Sequence, residues 1–258
     1  MRILLSNDDG VHAPGIKVLK KILSEIADVY VVAPLEEKSA TGHGLTLSHP
    51  VRVVEIEEKV WGVSGYPADC ILMALQELCE DIKFDLVVSG INYGANMGQE
   101  IYYSGTAAAA REATFNSLKS IALSLVTDSF SKKTLHFESA ANFIKNFILA
   151  KGHEQLAQHQ MFNINVPNLP ESEILEAVPT ILGFRDYAKG TQKRWDTRQK
   201  AYYWMGGEFV GPRKIPHSDG LAILEKKISV TLIDLLASPM AQNPQLVTFL
   251  SQHFGAKI

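Results

Sequence analysis

A chain of 258 residues with 46% hydrophobic and 21% charged residues has the composition of a soluble globular protein with a sizeable core. Its formal net charge of −3 argues against general affinity for nucleic acids or anionic membranes, so any anion site must be local. Cys70 and Cys79 lie neither in a C-x-x-C pair nor at ligand spacing from a histidine, which argues against zinc and favours a reducing compartment. Since no apolar run reaches the ~20 residues of a membrane span and the N-terminus lacks a signal-peptide pattern, we expect a cytoplasmic protein without membrane contact.

The first ten residues combine a buried-strand pattern with a polar cluster. The run Ile3-Leu4-Leu5 is typical of a strand covered on both faces of a parallel sheet, and it stops at Ser6-Asn7-Asp8-Asp9 before Gly10. Two adjacent carboxylates at a strand end repel each other unless a cation lies between them, and strand ends are where α/β sheets bind ligands. A solvated turn that caps the next helix is the alternative at this point.

Strand and helix patterns then alternate along most of the chain. Residues 15–27 carry apolar side chains at helical spacing between strand patterns at 2–6 and 29–33, which predicts a βαβ unit and a mostly parallel α/β sheet. Further strands are predicted at 51–56, 60–63, 85–89, 120–125, 162–166 and 228–233, and further helices from Pro67, at 107–115, at 138–149 and in the tail that closes the chain at 258.

The last third of the chain differs in character. We expect residues 1–182 to form the catalytic α/β unit and residues 183–258 an arm with a returning strand and a closing helix. Between 183 and 216 the chain is rich in aromatic and basic residues, and the segments 200–205 and 208–210 flank Gly206-Gly207, which predicts a β-hairpin. Such a hairpin is typical of a subunit interface; binding of nucleic acid by stacking is the rival, which we disfavour because this segment alone is basic.

Four polar clusters follow predicted strands or open the next helix. They are Asn7-Asp8-Asp9, Ser39, Asn92 and Ser104-Gly105-Thr106. Since strand ends of a parallel sheet meet at one edge, we expect these side chains to converge there. Carboxylate, hydroxyl and carboxamide oxygens favour a hard cation, Mg²⁺, Mn²⁺ or Ca²⁺.

The run Ser104-Gly105-Thr106 at a helix start offers free backbone N–H groups and the positive end of the helix dipole, which suits a phosphate. A plain N-cap is the alternative role for Ser104 or Thr106. His12 and His43 lie near the clusters in sequence, either as acids or phosphate partners or as ordinary surface residues. The glycines around Asn92 match neither dinucleotide nor P-loop patterns.

Together, these motifs resemble the survival protein SurE family. The resemblance covers nearly the whole chain, and its motifs stand in the family's order over residues 1–130. They are residues 2–10, Ser39-Ala40-Thr41-Gly42-His43, Gly65-Tyr66-Pro67-Ala68-Asp69-Cys70, Ser89-Gly90-Ile91-Asn92-Tyr93-Gly94-Ala95-Asn96 and Tyr103-Ser104-Gly105-Thr106-Ala107.

The resemblance implies a Rossmann-like three-layer fold and a metal-dependent 5′-nucleotidase that hydrolyses nucleoside monophosphates, with 3′-nucleotidase and exopolyphosphatase side activities. It also implies homodimers or homotetramers that exchange C-terminal arms. A nucleotide-binding protein without turnover and a glycosyltransferase-like enzyme remain alternatives. By resemblance, the ligands of one divalent ion per subunit are Asp8, Asp9, Ser39 and Asn92, and the residues next to phosphate are Asn96, Ser104, Gly105 and Thr106.

The expected reaction is direct hydrolysis of a phosphomonoester. Asp8 or Asp9 would orient the attacking water or accept its proton. Asn96 and the loop from Ser104 to Thr106 would hold the phosphate oxygens as donors placed in advance. These assignments make Asp8, Asp9 and Asn96 the expected catalytic residues.

Overall fold

The computed structural model describes residues 1–127, 134–188 and 190–236. Strands and helices alternate through its first two thirds, as the sequence patterns predict. The helices are α1 (Pro14–Leu23), α2 (Pro67–Met73, continued as a π-helix at Ala74–Leu78), α3 (Gly105–Phe115), α4 (Phe137–Leu149) and α5 (Asp219–Leu224). The strands are β1 (Arg2–Ser6), β2 (Asp28–Pro34), β3 (Val53–Glu57), β4 (Val60–Val63), β5 (Leu86–Tyr93), β6 (Ser120–Val126), β7 (Gln160–Pro167), β8 (Ala177–Thr180), β9 (Arg185–Tyr187), β10 (Gln192–Trp195), β11 (Ala201–Trp204), β12 (Phe209–Pro212) and β13 (Ile228–Asp234).

The main sheet has the order β3-β4-β2-β1-β5-β6-β7-β13-β8 in the described ranges. Every pair from β4 to β7 is parallel, whereas β3 runs antiparallel to β4, and β13 runs antiparallel to β7. The first strand therefore lies inside the sheet, between β2 and β5. This topology brings the carboxyl ends of β1, β2 and β5 to one edge.

Successive residues of β1 pack into different cores because side chains alternate across a sheet. Ile3 and Leu5 pack in the cluster that includes α1 and α4, while Leu4 packs with residues of α2 and α3. Helices thus cover both faces of the sheet. The prediction of a three-layer α/β fold with a mostly parallel sheet is confirmed.

Strand β5 is longer than predicted. It continues past the expected end at residue 89 to Tyr93, through a shift of register against β6 between Ser89 and Asn92. The shift is typical of a β-bulge, which turns side chains at the rim of a sheet. Asn92 is therefore the second-last residue of the strand and does not lie in a loop after it.

The hairpin predicted across Gly206-Gly207 is wrong. Strand β11 pairs with β10, and β12 pairs with β9. The β10–β11 turn is stabilised by Asp196, whose Oδ1 accepts hydrogen bonds from the backbone N–H groups of Arg198 and Lys200, each at 2.8 Å. An Arg213–Asp186 ion pair at 2.8 Å fastens the second pair of strands.

Two further differences concern the C-terminal part. Helix α5 was not predicted; the side chain of Ser218 caps it by accepting a hydrogen bond from Leu221 N–H. The closing helix predicted for the tail lies outside the described residues. Across the ranges that the structure describes, none of the helices combines the length and the apolar character needed to cross a bilayer.

Candidate active site

Asp8 and Asp9 tie three loops together at the edge of the sheet. The backbone N–H of Lys38, in the loop after β2, donates to the Asp8 carbonyl at 2.7 Å. At the end of β5, the backbone N–H of Tyr93 donates to Asp9 Oδ2 at 3.0 Å. These two hydrogen bonds therefore hold the loop after β2 and the end of β5 next to Asp8 and Asp9, as the expected convergence requires.

The carboxyl group of Asp8 is buried against the start of α3. The hydroxyl of Thr106 donates to Asp8 Oδ1, and the backbone N–H groups of Gly105 and Thr106 also favour the ionised carboxylate. A Cβ added to Gly105 would lie 2.7 Å from Asp8 Cβ and 2.9 Å from Oδ2. Glycine is needed at position 105 because Asp8 occupies the space of a side chain.

Both carboxyl groups are held in conditions that disfavour their charge. Burial raises the pKa of Asp8, and burial together with the neighbouring Asp8 charge raises the pKa of Asp9 to about 6. The hydrogen bond from Tyr93 N–H opposes the shift at Asp9. A cation beside these two groups would stabilise both in their ionised form.

A cavity of about 420 Å³ opens at this edge. Of the predicted site residues, Asp8, Ser39, Asn92, Asn96 and Ser104 line it. Asp9, Gly105 and Thr106 are absent from its lining, since the first is bonded to Tyr93 N–H and the other two contact Asp8. Some of the predicted residues thus face the cavity directly, whereas Asp9, Gly105 and Thr106 lie behind them.

The donor set suits a hard cation in its chemistry. In the described residues, no three His, Cys, Asp or Glu side chains come together as a metal site. The available ligands are instead two carboxylates with the Ser39 hydroxyl and the Asn92 carboxamide, all of them oxygen donors. Ser39 is exposed, and its Oγ donates to Glu37 Oε1 at 2.7 Å. Asn92 Nδ2 donates to the Gly94 carbonyl at 2.9 Å, so its Oδ1 is the atom that could face a cation.

Asn96 is the most firmly supported residue of the cavity. Its backbone N–H donates to Asn165 Oδ1 at 2.9 Å, and its carbonyl accepts from Asn163 and Asn165 at 2.8 and 3.0 Å. Its side-chain Nδ2 donates to Ser124 Oγ at 2.9 Å. The signal for this network is visible in β7, where asparagines replace apolar residues at alternate positions on one face of a buried strand.

Ser104 fills the capping role that we considered as the alternative. Its Oγ accepts a hydrogen bond from Ala107 N–H at 3.0 Å at the start of α3. Because the hydroxyl serves there as an acceptor, its own proton is available to an anion in the cavity. Capping and phosphate contact are thus compatible at this residue.

Sequence reasoning gave no site role to four lining residues that the structure brings together: Glu100, Thr127, Arg185 and Tyr187. Arg185 Nη1 pairs with Glu100 Oε2 at 3.0 Å, and the Tyr187 hydroxyl donates to Glu100 Oε1. Arg185 and Tyr187 come from β9, far along the chain from the other site residues. Their only sequence signal is the aromatic and basic composition of that segment.

Neither histidine near the clusters lines the cavity. His43 Nε2 lies 2.8 Å from Glu112 Oε2, and its ring stacks on Phe115 with centroids 5.8 Å apart. His12 lines a separate cavity beside α1. Both are therefore placed for packing and surface contacts.

Comparison with known proteins gives consistent matches. The family model described as survival protein SurE matches residues 3–189. A protein named 5′-nucleotidase SurE from Geotalea uraniireducens is 41% identical over 235 residues, 91% of this chain and 93% of the relative. The protein of the same name from Gloeobacter violaceus is 42% identical over 238 residues, 90% and 89% of the two chains. The crystal structure of the SurE protein from Aquifex aeolicus superposes with a TM-score of 0.84 at 33% identity, covering 97% of this chain and all of that one.

Proposed function

Because the chain belongs to the survival protein SurE family, we propose that it is a metal-dependent 5′-nucleotidase that hydrolyses nucleoside monophosphates. The observation that carries the proposal is the pair of adjacent carboxylates, Asp8 buried in the lining of the cavity and Asp9 half-buried next to it, with hydroxyl and carboxamide groups as the cavity's other donors. Such a set suits phosphate bound next to a hard cation. Activity toward 3′-phosphates and polyphosphate belongs to the same proposal, since these substrates carry the same phosphate group.

Asp8, Asp9, Ser39 and Asn92 are the proposed ligands of one divalent cation, Mg²⁺, Mn²⁺ or Ca²⁺. When bound, the ion polarises phosphate oxygen and neutralises developing charge. Orienting the attacking water and accepting its proton fall to the chain's own residues. Asp8 or Asp9 orients a water and accepts its proton as the water oxygen bonds to phosphorus. As the bond to the nucleoside oxygen breaks, that oxygen takes a proton from solvent and leaves as the alcohol.

Donors around the cavity hold the phosphate. Ser104 donates its hydroxyl proton, and Asn96 keeps a second amide hydrogen beyond the one given to Ser124. Both are fixed before substrate arrives, so they stabilise charge without reorganising. Gly105 and Thr106 act one layer back, by holding the Asp8 carboxylate in its ionised form.

The decisive experiment measures release of inorganic phosphate from AMP with Mg²⁺ or Mn²⁺ and again with EDTA. We expect release that EDTA abolishes, and an Asp9→Asn variant that folds normally but loses at least about a hundredfold in activity together with metal affinity. Asp85→Asn is the matched control, because Asp85 also accepts a backbone N–H, from Arg2 at 2.7 Å, but at the opposite end of β1.

Unchanged activity in Asp9→Asn would refute the ligand assignment. No phosphate release from any nucleoside monophosphate would refute the nucleotidase and favour a nucleotide-binding protein without turnover. Transfer of a sugar in place of hydrolysis would favour the glycosyltransferase-like alternative.

We also propose that residues 183–258 mediate association into a homodimer or homotetramer by arm exchange. Support comes from β10 and β11, whose aromatic side chains Trp195, Tyr203 and Trp204 are all more than half exposed. A cytoplasmic location belongs to the same proposal, and the buried, unpaired Cys70 and Cys79 support a reducing compartment.

A further inference from the structure

A second cavity of about 390 Å³ adjoins the phosphate cavity. The two share a wall made of Thr127, Arg185 and Tyr187. Beyond that wall the lining is mainly apolar, unlike that of the first cavity. Its apolar members are Met97, Val126, Phe209, Pro212, Ile223 and Leu224.

The shared wall presents flat surfaces. The guanidinium of Arg185 lies 4.1 Å from the centre of the Phe209 ring, and its ion pair with Glu100 fixes its plane. The rings of Tyr187 and Phe209 lie with centroids 5.6 Å apart. Aromatic rings and a planar guanidinium are the surfaces on which nucleobases stack, whatever the base.

Two polar atoms of the same wall lack hydrogen-bond partners. Arg185 Nε and Thr127 Oγ1 are buried, and neither bonds to any residue in the described ranges. Buried polar groups are nearly always paired in native proteins, and an unpaired donor is costly. Both atoms are closed off from the cavities, so this wall offers a ligand its flat surfaces and not these two hydrogen-bonding groups.

We propose that the second cavity binds the nucleoside part of the substrate, with the base against Phe209 and Tyr187. This inference rests on the proposed nucleotidase function and extends it to the leaving group. The base stacks on the aromatic and guanidinium surfaces, while the phosphate stays in the polar cavity. An apolar lining disfavours the phosphate and favours the base, which sets the direction in which the substrate binds.

The test compares AMP with ribose 5-phosphate, which keeps sugar and phosphate but lacks the base. In Phe209→Ala we expect kcat/KM for AMP to fall by about tenfold, mostly through KM, with a much smaller loss for ribose 5-phosphate. Phe184→Ala is the matched control. Phe184 also lies under a guanidinium, that of Arg213 at 3.9 Å, but lines neither cavity, so both substrates should behave as with the unaltered protein.

Binding of adenosine, measured by calorimetry, tests the cavity without turnover. Arg185→Lys keeps the charge opposite Glu100 but loses the flat guanidinium, so adenosine affinity should drop. It should also drop in Phe209→Leu, which keeps an apolar side chain but loses the ring. Equal losses for AMP and ribose 5-phosphate, or no adenosine binding by the unaltered protein, would overturn the inference. If adenosine binds in a Phe209-dependent way while no phosphate is released, the nucleotidase proposal fails and the nucleoside cavity stands.

Discussion

The two walls of the candidate site are built in different ways. At the edge formed by β1, β5 and α3, Asp8 and Thr106 are buried, and the loops are joined by backbone hydrogen bonds. The opposite wall, from β9 and β12, contains Tyr187 and Phe209, both more than two fifths exposed, and is held by an ion pair and ring contacts.

This difference matches the chemistry that we assign to each wall. Phosphate and cation chemistry requires donors fixed to within a fraction of an ångström, which a buried and cross-linked edge supplies. A surface that stacks on different bases tolerates movement, which an exposed aromatic wall allows. The same substitution should therefore have unequal effects in the two regions.

The largest effect is expected when a methyl group is added to the buried edge, at Gly105. In Gly105→Ala the new Cβ would lie 2.7 Å from Asp8 Cβ, so Asp8 must move, and we expect phosphate release to fall about a hundredfold. Crowding should also lower the free energy of unfolding by about 2–3 kcal/mol, measured with urea.

Gly206→Ala is the matched control in the exposed segment. There the nearest heavy atom would be 3.9 Å from the added Cβ, an ordinary contact. We expect little change in activity or stability. Equal losses in the two variants would contradict the contrast between the walls.

An intermediate effect is expected from Asp219, which connects the regions. Its Oδ2 accepts from Gly98 N–H at 2.7 Å, and its Oδ1 accepts from Gly183 and Gly220 N–H at 2.9 and 2.7 Å. Asp219→Asn would set an NH₂ group against one of these donors and lower the free energy of unfolding by about 1–2 kcal/mol.

Asp196→Asn provides the comparison for Asp219. Asp196 uses Oδ1 alone for two backbone N–H groups in the exposed β10–β11 turn, and asparagine keeps such an oxygen. Thermal unfolding of the two variants should give a clear loss for Asp219→Asn and a shift within error for Asp196→Asn. The reverse order would mean that the exposed turn, and not Asp219, limits stability.

The smallest effect on the folded chain is expected from Trp204→Ser. Trp204 is 60% exposed in β11, so its loss should change the free energy of unfolding at fixed subunit number by less than about 0.5 kcal/mol. Light scattering should nevertheless report a lower mass if the aromatic arm joins subunits. An unchanged mass would count against the proposed association.

The sequence predicts the edge around Asp8 well because its signals are local. An apolar run that stops at two acids indicates a strand end, and Ser104 before an alanine-rich segment indicates a helix start. By contrast, the pair Glu100–Arg185 joins residues far apart in the chain, and no periodicity connects them.

The prediction of a hairpin across Gly206-Gly207 was wrong for a related reason. The strand at 201–204 could pair with the strand before it or with the strand after it. Gly206-Gly207 suggests a turn to the following strand, but the structure pairs 201–204 with the preceding one. The observed pairing is accompanied by the Asp196 turn and the Arg213–Asp186 ion pair, and these contacts depend on side-chain geometry more than on pattern. Asp219 shows the same limit, since a single acid that binds three separated N–H groups has no local signature.

The position of β1 inside the sheet has a consequence for how the protein is made. Its neighbour β5 ends at Tyr93, 84 residues after Asp9, so a ribosome needs about 4–17 seconds to supply the second partner of the first strand. Until then the side of β1 that pairs with β5, at Ile3, Leu4 and Leu5, lacks its native partner. Asp8 and Asp9 stand at its end, and their charges oppose edge-to-edge pairing with other nascent chains. The same two acids thus place negative charge beside a strand that stays half-paired until residue 93 is made.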